Sequence, residues 1–441
     1  METQQRTRGI WSLFGAPAKP SSRSTQPESG AEKGISVLKS PDSASSSDSS
    51  ARGPRPWTRG KILTVSILAF FALAIIVIAI TVPIVLVKRN KSHDDPSYHN
   101  AANQPIQVLS DFPDPGLLHV NSTWYTYGTN AVKNNSEVPH VPVATSRDFS
   151  SWKLLDGHDA MPSLSGWETD INHYAPDVIQ RDDGRYVLYY SGELKDWVYH
   201  HCVGVAVTNG TNPLGPYVPQ RKPLACPRDQ GGAIDPSPFR DVDGKLYVVY
   251  KADANSIGHG GDCNNGKKPV LPVPILLQEL EADGVTPVGD PDQILQNDKS
   301  DGPLVEAPNL LRTAQGIYYL FFSSHCFTSP KYDVKYAYAT SLKGPYTRAD
   351  RALFKTGDFG LKSPGGATVS RDGTRIVFHA NCGKLRCLHA AAIAIHANST
   401  ITPASLYFGR TAGAFVQITC NVLRFTDHQH GTEGSYVRAS V

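Results

Sequence analysis

Polar turns alternate with short aromatic and β-branched runs along most of this chain. The clearest unit runs from Gly232 to Ala252, GAIDPSPFRDVDGKLYVVYKA. A carboxylate stands beside a proline in Asp235-Pro236-Ser237, Asp243-Gly244 supplies a turn, and Lys245 to Tyr250 follows as a β-rich run. Asp-Gly ahead of alternating Tyr and Val is a strong hairpin signal, because Gly accepts the positive φ that tight hairpin turns demand. The unit recurs. Asp114-Pro115 leads through Asn121-Ser122 to Trp124-Tyr125-Thr126-Tyr127. Ala175-Pro176-Asp177 leads through Asp183-Gly184 to Tyr186-Val187-Leu188-Tyr189-Tyr190. Glu306-Ala307-Pro308 leads through Gln315-Gly316 to Tyr318-Tyr319-Leu320-Phe321-Phe322. A fifth copy, Ser363-Pro364-Gly365-Gly366, leads through Asp372-Gly373 to Arg375-Ile376-Val377-Phe378-His379 and has no acid beside its proline. The turns recur at a period of about 60 residues, which predicts an all-β chain folded as a five-bladed β-propeller. The alternative is a β-sandwich, which does not require an acid at a similar offset in several repeats.

The pattern breaks on the N-terminal side. Ile62 to Val87 contains no charged side chain, and as a helix it would span about 39 Å at ~1.5 Å per residue, enough to cross a ~30 Å hydrocarbon core with some tilt. Residues 62–87 are therefore expected to form one transmembrane signal anchor, since the run begins too far into the chain and is too long for a cleaved signal peptide. Residues 1–61 are rich in Ser, Pro and charge, so they are expected to be a disordered cytosolic tail. Residues 88–104 read as a stalk, 105–400 as the propeller, and 401–441 remain unassigned because no sixth copy of the unit appears there.

Charge then narrows the partners. The whole chain carries a net +3, yet residues 1–61 alone hold ten Lys or Arg against five Asp or Glu. The repeat region therefore has no basic excess of the kind that binds nucleic acid. Flanking charges barely orient the span. Four N-glycosylation triplets, at Asn121, Asn134, Asn209 and Asn398, all follow it and favour a type II protein with its large domain extracellular or lumenal. Seven cysteines in such a compartment imply pairing, with an odd one left over, and Cys382 and Cys387 are close enough in sequence for a short-loop bridge.

Blades of a propeller surround a central channel, so the acids ahead of the hairpins are expected to converge on its axis. Asp114, Asp177, Asp235 and Glu306 are the candidates. Carboxylates brought together suit acid and base work, because burial and mutual repulsion separate their pKa values. PDPG around Asp114, YAPD around Asp177, IDPSPF around Asp235 and VEAPNL around Glu306 resemble, in order and spacing, glycoside hydrolase family 43. The resemblance implies a five-bladed propeller that cleaves glycosidic bonds in arabinose- or xylose-containing glycans with inversion. Action as an α-L-arabinofuranosidase or endo-arabinanase comes first, and a carbohydrate-binding propeller without catalysis is the alternative, followed by a receptor ectodomain. By motif, Asp114 resembles the general base, Glu306 the general acid, and Asp235 the third carboxylate that orients the acid. Asp177 is expected in a structural or outer substrate-binding role. Phe112, Tyr174 and Trp197 are candidates for stacking on sugar rings. His379 resembles a histidine near a central calcium, although an imidazole alone is a poor calcium ligand.

Overall fold

The computed structural model describes residues 101–130 and 138–406, together with a short strand pair, Phe425–Thr426 and Glu433–Gly434. The expected tail and span, most of the stalk, the triplet at Asn134 and Cys420 lie outside the described residues. Among the described residues no helix is long and apolar enough to cross a membrane.

Strand β1 (Ile106–Leu109) precedes five blades. Blade one holds β2 (Gly116–Val120), β3 (Thr123–Tyr127), β4 (Val143–Ser146) and β5 (Trp152–Leu154). Blade two holds β6 (Tyr174–Gln180), β7 (Tyr186–Leu194), β8 (Trp197–Thr208) and β9 (Tyr217–Pro219). Blade three holds β10 (Ala233–Arg240), β11 (Leu246–Ala252), β12 (Pro274–Leu280) and β13 (Pro287–Gln296). Blade four holds β14 (Val305–Arg312), β15 (Tyr318–Ser324), β16 (Asp333–Ala339), β17 (Thr347–Arg348) and β18 (Phe354–Lys355). Blade five holds β19 (Gly365–Val369), β20 (Arg375–Cys382) and β21 (Leu385–Ile395). Each expected turn joins the first and second strands of a blade. The architecture is the five-bladed propeller, and the sandwich is excluded.

The apolar runs are continuous because each blade is covered on both faces by its neighbours. Successive side chains of a strand point to opposite faces. Tyr186, Leu188 and Tyr190 accordingly face blade one, where they meet Leu118, Tyr127 and Val143. Val187 and Tyr189 face blade three and meet Leu246, Val248 and Tyr250. The other three seams repeat the scheme, so five apolar clusters fill the five gaps between blades.

Closure uses strands the repeat did not announce. β1 pairs with β21 of blade five, joining the two ends of the repeat region. β22 (Ile401–Ala404) pairs with the rest of the same edge, so the first residues of the unassigned C-terminal stretch complete this blade.

The proline corners of blades two to four are β-bulges, and blade five bulges two residues past its proline. In blades two to five the first strand slips register between Tyr174 and Asp177, Ile234 and Ser237, Glu306 and Asn309, and Gly365 and Thr368. The residues skipped are Ala175-Pro176, Asp235-Pro236, Ala307-Pro308 and Gly366-Ala367. The first of each pair, like Asp114 in blade one, has a positive φ between 44° and 60°. We call these five residues the crests. A bulge re-aims its side chain and tolerates proline, which has no ladder donor to lose.

A crest N–H taken out of its own ladder still needs an acceptor. It finds one on the preceding blade. Ala175 N–H donates to Thr129 Oγ1 (2.8 Å), Asp235 N–H to Ser191 Oγ (3.0 Å), Gly366 N–H to Ser323 Oγ (2.9 Å) and Asp114 N–H to His379 Nδ1 (3.2 Å). Ala307 N–H donates to Asp235 Oδ2 (2.9 Å). Two to three residues past the crests runs a second belt. Leu117 N–H donates to Asp177 Oδ1, Ser237 Oγ–H to Asp177 Oδ2 (2.8 Å), Asn309 Nδ2–H to Ser237 Oγ (2.9 Å), and Val369 N–H to Asn309 Oδ1 (3.0 Å). This belt links blade one to blade five through side chains around the axis.

Three disulfides join Cys202 to Cys226, Cys263 to Cys326 and Cys382 to Cys387. The last is the short-loop bridge expected. The second and third lie where the second strand of a blade ends and the third begins, and the first ties β8 to the loop that leads into blade three.

The belt makes a test. Ser237→Ala removes the hydroxyl that joins Asp177 to Asn309 and leaves two buried polar groups short of a partner. We expect a loss of about 1–3 kcal/mol in denaturant unfolding. An unchanged midpoint would show that the belt does not hold the blades.

Candidate active site

The crests turn five short loops toward the axis, where Asp114, Ala175, Asp235, Ala307 and Gly366 line one narrow cavity with Asp177 and Ser237. The acids do not occupy equivalent offsets, contrary to the expectation. Asp114 and Asp235 are crest residues, Glu306 lies one residue before its crest, and Asp177 two residues after. That difference decides what each can do.

Asp114 is clamped from three sides. Arg386 Nη1 donates to both carboxylate oxygens at 3.1 Å, and Thr129 Oγ1 donates to Oδ2 at 2.9 Å. His379 Nδ1 stands 3.2 Å from Oδ1. Burial alone would raise the Asp114 carboxyl, but the Arg386 guanidinium and the Thr129 hydroxyl outweigh it and hold the group well below the usual carboxylate range. Gly366 makes the room. A Cβ there would come within 2.7 Å of His379 Nδ1 and 2.8 Å of Asp114 Oδ1.

Asp235 is driven the other way. Burial raises its carboxyl to about 7; Lys251 pulls against that, while Glu306 and Asp114 add to it. Its Oδ2 is bonded to Ala307, the residue after Glu306, so Asp235 is pinned beside the glutamate. Glu306 is nearly buried, and its Oε2 lies 3.5 Å from Lys251 Nζ. The buried Tyr332 hydroxyl is pushed up by burial and by the nearby Glu306.

The remaining expected residues fall out differently. Asp177 is 5% exposed and its oxygens are taken up by Leu117, Val178 and Ser237, so it serves the belt and is not free to hold substrate. Phe112 is 2% exposed and packs under Gly128 in the seam between blades five and one, so it offers no face to a sugar. Tyr174 is half-buried beside its crest and stacks on His201 at 4.6 Å. Trp197 stacks on His200 at 3.7 Å, with the Arg228 guanidinium 5.7 Å from its ring.

His379 has a structural task, because its Nδ1 accepts the Asp114 N–H. Its pKa is lowered by burial, so the ring is neutral and Nε2 carries the proton. That Nε2 is buried and without a partner among the described residues. Among the described residues no group of three or more His, Cys, Asp or Glu could hold a metal ion. Calcium takes six to eight oxygens. The residues around His379 do not supply such a cage.

Arg386, Lys251, Asp253 and Thr129 were not anticipated. A signal existed for Lys251, the only charged residue of Leu246–Ala252, a strand buried throughout. Arg386 sits in a hairpin with no comparable mark.

A propeller whose axial mouth gathers three carboxylates, two with oppositely displaced pKa values, has the frame of an acid–base hydrolytic enzyme. The sequence model of glycosyl hydrolases family 43 matches residues 103–392, and the chain belongs to that family. It is 28% identical over 183 residues to an extracellular endo-α-(1→5)-L-arabinanase of Thermotoga petrophila, covering 35% of this chain and 36% of that one. It is 26% identical over 226 residues to a xylosidase/arabinosidase of Butyrivibrio fibrisolvens, covering 50% of this chain and 38% of that one. The chain thus matches little more than a third of the length of these relatives. Among solved structures, a thermostable family-43 glycoside hydrolase superposes with a TM-score of 0.54 at 23% identity, covering 69% of this chain and 95% of that one. An endo-1,4-β-xylanase of Bacteroides thetaiotaomicron gives 0.53 at 23% identity, covering 67% and 94%. At that identity the likeness speaks for the fold.

Proposed function

We propose that the propeller is an inverting glycoside hydrolase of arabinose- or xylose-containing glycans, with α-L-arabinofuranosidase or endo-arabinanase action first. The observation that carries this is the split between the carboxylates. Asp114 is kept ionised by Arg386 and Thr129, as a base toward water must be. Asp235 is pushed up by burial beside Glu306, so the negative charge on that side of the site is held down. In the reaction Glu306 gives its proton to the glycosidic oxygen as the C–O bond breaks with its electron pair. Water attacks the anomeric carbon from the opposite face and passes its proton to Asp114. Asp235 fixes the loop that carries Glu306. For the calcium expected beside His379, the only mode these residues allow is through water, with the imidazole facing the hydration shell.

The full chain should release sugar from chromogenic arabinofuranosides or xylosides. Glu306→Gln should slow poor leaving groups by roughly 10²–10⁴-fold and spare activated aryl ones, which need little protonation. Asp114→Asn should slow both, because water attack is needed for each. Binding of oligosaccharide without hydrolysis, or equal losses for Glu306→Gln on both substrates, would contradict the assignment.

The same reading places the domain outside the cytosol, as the lumenal or extracellular part of a type II membrane protein anchored by residues 62–87. Three disulfides support it. So do the acceptor residues Asn121, Asn209 and Asn398, which are exposed at hairpin ends away from the crests. Glycosidase F treatment of the chain from a eukaryotic host should increase its gel mobility. An unchanged band, with the tail protected from protease in sealed microsomes, would reverse the orientation.

A further inference from the structure

The second strands of the blades carry one equivalent position opposite the residue before each crest. In blades two to five the pairs are Tyr174 with Ser191, Ile234 with Lys251, Glu306 with Ser323, and Gly365 with His379. At this position Ser191, Ser323 and His379, and Thr129 in blade one, accept the next blade's crest N–H. Blade three breaks the rule. Lys251 has three donors and no acceptor, so it cannot serve Ala307 N–H, which turns to Asp235 instead. The exception buries a cation, with Lys251 1% exposed, where a serine would satisfy the fold. Local rules are broken where a site needs something the scaffold does not.

What the exception provides is a fixed charge against the glutamate. Lys251 Nζ is anchored by Asp253 Oδ1 at 3.2 Å and faces Glu306 Oε2 at 3.5 Å. We infer that Lys251 is the positioning residue of the acid: it holds Glu306 by Oε2, leaves the transferable proton on Oε1, and stabilises the carboxylate that forms as this proton leaves. The inference rests on the hydrolase reading above. An ammonium cannot accept, so the oxygen it faces is the one without the proton. The step balances simply. The Oε1 proton moves to the leaving oxygen, the C–O electron pair goes with that oxygen, and Glu306 keeps one negative charge beside Lys251.

The other groups facing this pair are known. Asp253 and Asp235 lie against Lys251, which stays protonated because these two and Glu306 outweigh its burial. Tyr332, Arg386 and His379 each feel Glu306 across the mouth, and Asp114 acts on Asp235. Removing the Lys251 charge makes Glu306 harder to ionise, so the sign is set: the basic limb of the pH–rate profile moves up.

The test compares wild type with Lys251→Met in the full chain on two glycosides of the sugar it hydrolyses, one dinitrophenyl and one methyl. We expect the methyl glycoside to slow by about tenfold or more, part of the ~10²–10⁴ that a general acid supplies in full, with the dinitrophenyl rate nearly kept. The basic limb should rise by about one pH unit or more, the usual effect of an adjacent opposite charge. Should Lys251→Met not fold, Lys251→Met/Asp253→Asn removes both charges of the pair and must still show the leaving-group bias. Equal slowing of both substrates with the limb unmoved would reduce Lys251 to a prop and overturn the inference. A wild type that hydrolyses no glycoside would sink the proposed function itself.

Discussion

The hydrogen bond from each crest N–H to the neighbouring blade is the constraint on which this molecule turns. A bulge is needed to aim a side chain at the axis, and the bulge removes one N–H from its sheet. That donor is buried and cannot go unpaired without losing about 1–3 kcal/mol. The neighbour therefore supplies an acceptor at one fixed position, which ties aim and assembly together. The apolar seams press the blades face to face, but they are non-directional. The crest bonds and the belt below them set the register of one blade against the next.

Fivefold repetition makes the departures informative. Four acceptors are hydroxyls or an imidazole, and one position holds Lys251. Its substitution forces Asp235 to bond Ala307, which brings that carboxylate against the loop of Glu306. On the other side, the imidazole of His379 accepts the Asp114 N–H and stands against the Asp114 carboxylate. The two non-hydroxyl members of the ring are thus the two that adjoin the proposed acid and base. Scaffold and site share the same positions, and the site is written as exceptions to the scaffold.

Much of this was legible in the residues. Asn-Ser, Asp-Gly and Gln-Gly turns before β-rich runs located all five inner hairpins, because turn chemistry is local. The proline corners marked the bulges. Less local features were hidden. Glu306, Asp235 and Asp177 sit at three different offsets from their crests, a distinction carried by register slips that no spacing count reveals. Phe112 adjoins the Asp114 motif in sequence, yet the loop between β1 and β2 turns it into the seam. Closure by β1 and β22 depends on pairing between residues almost 300 positions apart in one case, and such pairing leaves no periodic trace. Arg386 reaches Asp114 across the same join.

Catalysis as proposed rests on the opposed environments of Asp114 and Asp235. Asp114 is a base toward water only if it never bonds to the sugar. Proton NMR of the first product released reads this directly, before the free sugar mutarotates. The account predicts an inverted anomer. A retained anomer would mean a covalent intermediate, and would take Asp114 out of the base role on which the assignment of the site rests.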